Sequence, residues 1–471
     1  MNILMFHLNP IRPTFSLGLA QLSAVLSQKG HKCSFFPVFK GNLSNVLSIV
    51  QKTAPNLILI SLHSDSLILC KELMEMLCGT KIPIVLGGIH PTIAPEECIT
   101  LAGVYALCRG EGEDPLIDLV AAMESGQDPT GIENVWVKKD QKIYRNPLRP
   151  LHRCLDEFPF PDYTIFREFF NFEIIPVILS RGCPFDCSYC CNHTLKKLYG
   201  AKNYLRRHSV NYSIENIEQA LKVFPLSSEI EFFDDTFILD KAWLKDFLSK
   251  FSQFGIPFSC NARFDLLDED TIEALSSAGC VRINAAIESG NFRLRSDVLK
   301  REMSDDTIIE KSRLIKKHGI RLFTHNMIGI PGETEEDILK TIQLNRTIQA
   351  DSLHLSICAP YPSTDLRFLC EKNGWLEKQG KHTDSFCDFS IIGTPYIDRR
   401  KVNYYFLAFH SILYDRGLTL IIKKTAFWVM HLGDNRLYRW LRSVRFFTTW
   451  KWQRIRAWLN LGKFRNQDIT V

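Results

Sequence analysis

The sequence has few cysteines, no long uncharged run and no recognisable secretory leader, and each of these absences excludes a class of protein. Its 15 cysteines in 471 residues are too few for a disulfide-held scaffold. Its longest uncharged runs, such as 82–95, fall short of the roughly 18 residues that a membrane helix needs. Residues 1–11 lack the basic start and apolar segment of a signal peptide. The sequence therefore predicts a cytoplasmic protein whose cysteines stay reduced and bind metals or fill core space.

A strong overall charge is also missing, but the charge is unevenly placed. The net charge is +5, and the segment from Asp398 to the end alone carries +11, against −6 for the rest. This basic tail also holds five of the eight tryptophans. A composition of 45% hydrophobic and 23% charged residues excludes a disordered chain or a fibre.

The chain divides into four parts on its pattern of apolar runs. Residues 1–125 alternate short apolar runs with helical periodicity, which predicts a doubly wound, Rossmann-like α/β domain with a parallel sheet. Residues 126–165 contain a possible hairpin and a Pro-rich stretch and are expected to be a linker. Residues 166–375 hold six further strand–helix pairs, which predict a partial (β/α)6 barrel with its chemistry at the strand ends. Residues 376–471 are expected to form a mainly helical region.

Three cysteines lie on one short loop directly after the first strand of the second series. Cys183, Cys187 and Cys190 are separated by three and two residues. Structural zinc normally takes four protein ligands, whereas an iron–sulfur cube held by three cysteines keeps one iron open for another molecule. The spacing favours the cluster, although a zinc loop or a coincidence of cysteines is compatible with it.

The whole phrase around these cysteines, SRGCPFDCSYCCN at 180–192, resembles the cluster loop of the radical S-adenosylmethionine (radical SAM) superfamily. Tyr189 stands just before the third cysteine, as an aromatic residue does in that family. The resemblance implies a 4Fe–4S cluster on Cys183, Cys187 and Cys190, with S-adenosylmethionine chelating the open iron. It also implies reductive cleavage to a 5′-deoxyadenosyl radical that abstracts hydrogen from a substrate.

The resemblance extends to the ends of the later strands and implies residues that bind S-adenosylmethionine. The family's usual Gly-Gly-Glu is absent here, and the Asp-Asp that replaces it resembles the cobalamin-associated branch. Alternatives that need no ligand are a turn and helix cap for the two aspartates and a structural ion pair for the glutamate. In PYPSTD at 360–365, Ser363 replaces the glycine that is usual in the family. The expected S-adenosylmethionine-binding residues are Asp234, Asp235, Arg263, Glu288, Gly329, Pro331 and Gly332.

The first domain resembles the cobalamin-binding domain that precedes the radical module in one large branch. One departure is that the Asp-x-His-x-x-Gly phrase, whose histidine binds cobalt in many cobalamin folds, is absent. Some relatives hold cobalamin without that base, and others have lost the cofactor. His7, His63 and His90 are further candidates for side chains that lie near the cobalt. The residues expected to line the corrin are Gly87, Gly88, His90, Pro91 and Thr92.

The basic tail has the pattern of amphipathic helices at 436–447 and 450–461, with arginines interleaved among apolar residues. A helical cap on the barrel would explain this pattern. A surface-bound membrane anchor or a collar for a lipid substrate is the second interpretation. Nucleic-acid binding is the least favoured.

Taken together, the motifs predict a cobalamin-dependent radical SAM enzyme that methylates an unactivated carbon of a small-molecule or lipid-like substrate. An electron donor such as flavodoxin or ferredoxin is expected as a partner. Radical cyclisation, rearrangement or dehydrogenation without methyl transfer are the alternatives. A tRNA methylthiotransferase is disfavoured because the cysteines of the first domain are scattered, and a corrinoid or redox sensor is a further alternative.

Overall fold

The computed structural model describes residues 1–376 and 389–414, and its first part is built on a seven-stranded sheet. The strands are β1 (Asn2–Leu8), β2 (Lys32–Val38), β3 (Leu57–Ser61), β4 (Ile84–Gly87), β5 (Val104–Cys108), β6 (Val135–Lys139) and β7 (Lys142–Arg145). The helices are α1 (Leu17–Gln28), α2 (Val46–Thr53), α3 (Leu67–Leu77), α4 (Ile89–Ile93), α5 (Pro95–Ile99) and α6 (Glu113–Ser125). The strand order is β2-β1-β3-β4-β5-β6-β7, with the first five parallel. The predicted doubly wound fold is confirmed.

The central strands of this sheet are buried on both faces. In β1, Ile3 and Met5 belong to one apolar core, and Leu4 and Phe6 belong to the other. Successive side chains of a strand point to opposite faces, so a strand covered by helices on both sides must be apolar throughout. This requirement explains the continuous apolar runs in the sequence.

The hairpin placed in the predicted linker is part of the first sheet. β6 pairs antiparallel with β5, and β7 pairs with β6. The two residues between them, Asp140 and Gln141, both have positive φ, as a tight hairpin turn requires. Trp136 on β6 is buried under the guanidinium of Arg109, 4.6 Å from the ring centroid. Burial of this tryptophan ties the hairpin to the sheet, so 135–145 is not a free spacer.

The second part is an open half-barrel of six parallel strands in chain order, β8-β11-β12-β13-β14-β15. The strands are β8 (Ile174–Val177), β9 (Ser180–Arg181), β10 (Arg206–Arg207), β11 (Glu229–Phe232), β12 (Phe258–Ala262), β13 (Cys280–Glu288), β14 (Arg321–Ile328) and β15 (Ser352–Ile357), where β9 and β10 form a separate short pair. The helices are α7 (Cys191–Tyr199), α8 (Val210–Val223), α9 (Lys241–Phe251), α10 (Glu269–Ser277), α11 (Asp305–Lys317), α12 (Glu335–Ile348) and α13 (Asp365–Lys372). This confirms the predicted partial barrel.

Side-chain caps fix where the barrel helices begin. Each cap accepts a hydrogen bond from a backbone N–H of the first turn, which satisfies a donor that has no partner inside the helix. Thr334 and Asp337 form a reciprocal capping box at the start of α12. The other caps of this kind are Ser209, Asp240, Asp268, Ser304 and Thr364. The sequence thus directs the chain to turn back at the carboxyl edge of the sheet after each strand.

A last described helix, α14 (Arg399–Tyr414), lies against α12 and β15. Tyr405, Phe406 and Phe409 pack into an apolar core with Ile338 and Leu355. The predicted amphipathic segments at 436–447 and 450–461 lie outside the described residues. Among the helices within 1–376 and 389–414, none has the length and apolar character needed to cross a membrane.

Candidate active site

A cavity of about 490 Å³ lies between the two sheets. One wall is formed by the carboxyl ends of β3, β4 and β5 and the start of α1, and the other by the loop at 180–192 and its neighbours. In doubly wound sheets this edge, at the point where strand order reverses, is where ligands bind. Gly87, Gly88 and Thr92 line the cavity, and their contact with a corrin stays a prediction.

His90 and Pro91, predicted to line the same ligand, are buried and do not reach the cavity. Nδ1 of His90 is 2.9 Å from the Ser64 hydroxyl, behind the wall. Thr92 donates a hydrogen bond of 2.7 Å to the Gly88 carbonyl and accepts one of 2.8 Å from the Gly110 N–H. Hydrogen bonds on the side away from the cavity therefore hold the loop at 87–92, which we call the glycine loop, and His90 takes part in this support.

Two histidines meet at the switch point of the first sheet. His7, on β1, and His63, just after β3, have ring centroids 5.4 Å apart in an edge-to-face arrangement. His7 is buried, and burial lowers its pKa to about 3. His63 lines the cavity and is exposed to it, and desolvation by the surrounding walls lowers its pKa. Both rings are therefore neutral near pH 7.

The three predicted cluster ligands lie on the loop at 180–192, which we call the cluster loop. Cys187 is buried, whereas Cys183 and Cys190 are partly exposed. In the described part of the chain no three cysteine, histidine or carboxylate side chains form a closed metal site. The placement of the thiols around a cluster therefore stays a prediction, and α7 begins directly after the third of them.

Glycine is required at one position of the cluster loop. Gly182 has φ +88°, and a Cβ there would lie 2.5 Å from the carbonyl oxygen of Tyr204. An L side chain at this position would meet both backbone strain and a steric clash. The Arg-Gly-Cys sequence thus lets the loop pass close to the segment that precedes β10.

Two guanidinium groups lie beside the Cys187 sulfur. Nη1 of Arg301 is 3.6 Å from it, and Nη1 of Arg263 is 3.9 Å away. Arg263 also stacks 3.7 Å from the Phe185 ring centroid and forms a bidentate pair with Asp265. An iron–sulfur cluster with thiolate ligands is anionic, so buried positive charge next to a thiol fits this group. Arg263, predicted to bind a cofactor, is placed against the cluster loop.

A chain of polar contacts connects the cluster loop to the end of β13. The Tyr189 hydroxyl donates a 2.8 Å hydrogen bond to Glu288, and Nη1 of Arg301 is 3.4 Å from the same hydroxyl. Glu288 has φ +65° and follows a bulge in β13, and its burial raises its pKa. The strained backbone and the bulge aim this carboxyl at the cluster loop. Contact of Glu288 with S-adenosylmethionine stays a prediction.

The two adjacent aspartates after β11 have different surroundings. Asp234 is fully buried and accepts hydrogen bonds from the Leu179 N–H and the Ser180 hydroxyl, and burial raises its pKa to about 6. Asp235 lines the cavity, and burial raises the pKa of its carboxyl group. Asp234 therefore anchors the start of the cluster loop, and only Asp235 is free to meet a ligand in the cavity.

The loop after β14 is held by a carboxyl group that the sequence analysis did not single out. Glu333 is fully buried, and its Oε2 accepts hydrogen bonds from the N–H groups of Gly329 and Ile330. Gly329 and Gly332 both have positive φ. Its other oxygen, Oε1, has no hydrogen-bond partner among the described residues. Burial raises the pKa of Glu333 to about 8.

Replacement of Glu333 by glutamine is expected to change how stability depends on pH. The folded wild type keeps the Glu333 proton up to about pH 8, whereas the unfolded chain releases it near 4.5, so the wild type loses stability across that range. The advantage of Glu333→Gln should therefore grow from pH 6 to pH 8, by up to about 1.4 kcal/mol per pH unit. Urea unfolding at both pH values measures it.

Glu335→Gln is the matched control for this change. Glu335 lies beside Lys401, which lowers its pKa, so its stabilising effect is lost only in acid. The stability difference between this variant and the wild type should not change between about pH 6 and pH 8. If wild type and Glu333→Gln keep a constant difference across that range, the raised pKa of Glu333 is wrong.

Ion pairs join the two halves around the cavity. Arg206 is bidentate to Glu111, with one contact of 3.0 Å, and Arg181 contacts Glu113 at 2.6 Å. Ser363, at φ +59°, donates a 2.7 Å hydrogen bond to the carbonyl of Ile93 in the first domain. Ser363 thus has the left-handed backbone conformation that glycine, the usual residue in the family, adopts without strain. Its hydroxyl adds a contact between the domains.

Arg301, Glu333 and the arginines of these ion pairs were not predicted from the sequence. Arg301 follows a π-helical turn at Leu294–Val298, and such turns are frequent at functional sites. Nothing in the local pattern distinguishes it from a surface arginine. Its partners Cys187 and Tyr189 lie more than 100 positions away in the chain.

Two family models match the chain, each over one of its two sheets. The model of the radical SAM superfamily matches residues 177–344, and that of the B12 binding domain matches 12–120. An uncharacterized methyltransferase of Pyrococcus horikoshii is 29% identical over 364 residues, which cover 74% of this chain and 77% of that protein. An anaerobic magnesium-protoporphyrin IX monomethyl ester cyclase of Rubrivivax gelatinosus is 26% identical, with 60% of this chain and 52% of that protein covered.

Among solved structures, the radical SAM methyltransferase TsrM from Kitasatospora setae, with cobalamin and a [4Fe-4S] cluster bound, has a TM-score of 0.65. It is 16% identical, with 79% of this chain and 75% of TsrM covered, so the likeness shows the fold. Both domains and their order match the prediction. The chain therefore joins a B12-binding domain to a radical SAM domain and is a radical SAM enzyme whose cofactors are a 4Fe–4S cluster, S-adenosylmethionine and cobalamin.

Proposed function

We propose that the protein is a methyltransferase that transfers a methyl group from S-adenosylmethionine to an unactivated carbon of a small molecule. The single observation that carries this proposal is the cavity between the sheets. The cluster loop forms one of its walls, and the glycine loop of the B12-binding domain forms the other. A methyl carrier held on one wall then faces the site of radical chemistry on the other.

The chain's own residues would have distinct tasks in this reaction. Cys183, Cys187 and Cys190 would hold the cluster, which supplies the electron for cleavage of S-adenosylmethionine. Asp235 and Glu288 would orient the polar groups of that cofactor, since both carboxyls lie at strand ends near the cluster loop. The ion pairs between the domains would hold the two walls together, and a closed, dry site protects a radical from side reactions.

The lower part of the barrel is lined by polar side chains that hydrogen-bond to one another. Arg282 donates to Glu231 at 2.9 Å, and Asn284 donates to Glu231 and Asn261 at 3.2 Å. These groups satisfy one another, so a substrate gains little by displacing them. A small molecule would therefore enter at the carboxyl edge, beside Glu288.

The stoichiometry of by-products tests the methyl-transfer proposal. Each methyl donated leaves one S-adenosylhomocysteine, and each radical event leaves one 5′-deoxyadenosine and one methionine. Anaerobic turnover with methyl-labelled S-adenosylmethionine, a strong reductant and a small-molecule extract should give both by-products and a labelled product that has gained a methyl group on carbon. Mass spectrometry measures all three. Formation of 5′-deoxyadenosine with no S-adenosylhomocysteine would overturn the proposal.

Radical cyclisation is the second candidate, favoured by the likeness to the protoporphyrin ester cyclase. Such a reaction would yield 5′-deoxyadenosine and a product without an added carbon. The same experiment distinguishes the two functions, because only methyl transfer moves the label into the product.

The enzyme needs a small-molecule substrate and a reductant. Flavodoxin or ferredoxin is our proposal for the physiological electron donor. A lipid-like substrate and contact with a membrane surface depend on 436–461, which the described residues do not include, so both stay predictions from the sequence.

A further inference from the structure

We propose that His63 is a protein ligand of the cobalt, on the face of the corrin that looks towards the first sheet. This inference depends on cobalamin occupying the cavity and is independent of the reaction that the enzyme performs. It assigns a metal-binding role to a histidine that lies outside the usual cobalt-binding phrase.

The cavity offers few side chains that could bind a metal. Among the described residues that line it, the histidines, cysteines and carboxylates are His63, Cys108, Glu111, Glu113, His208 and Asp235. All except His63 and Asp235 are hydrogen-bonded, ion-paired or buried, and Asp235 lies on the barrel wall rather than on the first sheet. The hydroxyls of Tyr163, Tyr199 and Tyr204 also line it, and each is already hydrogen-bonded.

On the first-domain wall, Cys108 is only 4% exposed, and Glu111 and Glu113 are paired with Arg206 and Arg181. Use of either carboxylate as a ligand would leave a largely buried arginine without its partner, which is costly.

On the barrel wall, Nδ1 of His208 is 2.9 Å from Asp156, and its ring stacks on Tyr212 at 4.0 Å. Asp235 is accessible from the cavity but lies beside the cluster loop, where S-adenosylmethionine is expected. Neither group faces the cavity from the first sheet.

His63 differs from these groups in its contacts. It is exposed into the cavity, its ring nitrogens take part in no hydrogen bond among residues 1–376 and 389–414, and the Asp65 carboxylate acts on it electrostatically. Its one ring contact is the edge-to-face packing with His7, which supports the imidazole from beneath. A histidine binds a metal as the neutral imidazole, and the nitrogens of His63 are not used by another group of the described chain.

The position of His63 also fits the missing cobalt-binding phrase. That phrase would follow β1, where this chain has Asn9 to Arg12 instead. β3 is the parallel neighbour of β1, so its carboxyl end lies at the same edge, across the switch point. A histidine after β3 can therefore reach the same space beside the cobalt as the histidine of the cobalt-binding phrase, which follows β1 in proteins that have it. On binding, a lone pair of the His63 ring forms a bond to cobalt, and the bond from cobalt to the benzimidazole of cobalamin breaks.

Electron paramagnetic resonance of the cobalt(II) form tests this assignment without any turnover. The full-length protein is produced with natural nitrogen and with ¹⁵N, loaded with unlabelled cobalamin and reduced by one electron. A nitrogen ligand from the protein splits each cobalt line into three with ¹⁴N and into two with ¹⁵N. We expect the change from triplet to doublet, since the benzimidazole nitrogen stays ¹⁴N in both samples.

Two variants locate the nitrogen. His63→Ala should retain cobalamin after gel filtration but lose the doublet, whereas His318→Ala, at the end of α11 and away from the cavity, should keep it. A triplet that persists in the labelled protein would show benzimidazole as the ligand, and lines without nitrogen splitting would show none. Each of these outcomes overturns the proposal, as does a doublet that survives in His63→Ala. Wild-type protein that retains no cobalamin would instead contradict the cofactor assignment, and the proposal with it.

Discussion

Alanine at Cys183, Cys187 or Cys190 is expected to abolish cleavage of S-adenosylmethionine. Each substitution removes one of three thiolates, and a cluster held by two protein ligands cannot keep its open iron in place. Because changes in the surroundings of a metal already cost 10- to 100-fold, loss of a ligand should lower 5′-deoxyadenosine formation by more than roughly 100-fold. Iron and sulfide content and anaerobic release of 5′-deoxyadenosine measure the effect.

Cys191 provides a matched control next to a predicted ligand. It directly follows Cys190 in the chain, and both residues are partly exposed. Cys191→Ala should keep the cluster and the activity, whereas Cys190→Ala should lose both. Wild-type activity of Cys190→Ala together with loss in Cys191→Ala would move the third ligand by one residue. Release of 5′-deoxyadenosine by Cys183→Ala at the wild-type rate would contradict the assignment of all three cluster ligands.

Replacement of Arg206 by methionine is expected to destabilise the protein by about 3 kcal/mol. The Arg206 side chain is 6% exposed, and its partner Glu111 is 24% exposed. The variant leaves a largely buried carboxylate without its bidentate partner, with only Arg181 at 3.4 Å to compensate. Because Arg206 also lines the cavity, retention of cobalamin should weaken as well. Urea unfolding and cobalamin content after gel filtration measure the two effects.

A double-mutant cycle separates the ion pair from simple loss of packing. Adding Glu111→Gln to Arg206→Met should recover about 2 kcal/mol, because no charge is then left unpaired. Lys241→Ala is the control, since its pair with Asp268 is 58% and 48% exposed and should be worth less than about 1 kcal/mol. A double variant no more stable than Arg206→Met alone would show that the two side chains are not coupled.

Much of the fold could be predicted from the sequence because its signals are local. The continuous apolar strands, the helical periodicity of 305–317 and 335–348, and the capping residues each act over a few positions. The hairpin at 135–145 was found, but its place in the first sheet was not. Which sheet it joins depends on the burial of Trp136 against Arg109, a contact across 27 positions.

The candidate site divides in the same way. The spacing of Cys183, Cys187 and Cys190 and the glycines after β4 and β14 were visible in the sequence, since a ligand loop or a tight turn needs those residues at fixed neighbouring positions. Asp234 and Asp235 could not be told apart, because the difference between an anchored and an accessible carboxyl arises from where Leu179 and Ser180 are placed. The sequence likewise could not show that His90 hydrogen-bonds to Ser64 behind the cavity wall instead of lining the cavity.

By itself, the sequence determined the family, the order of the two domains and the loop that carries three thiols. Only the tertiary structure decided which charges meet, such as Arg301 beside Cys187 and Arg206 beside Glu111. It also decided that the His63 ring is exposed to the cavity. The physical reason is that backbone turns and a loop of three cysteines depend only on spacing within about a dozen neighbouring residues. The partners of a buried charge are instead set by where distant strand ends converge.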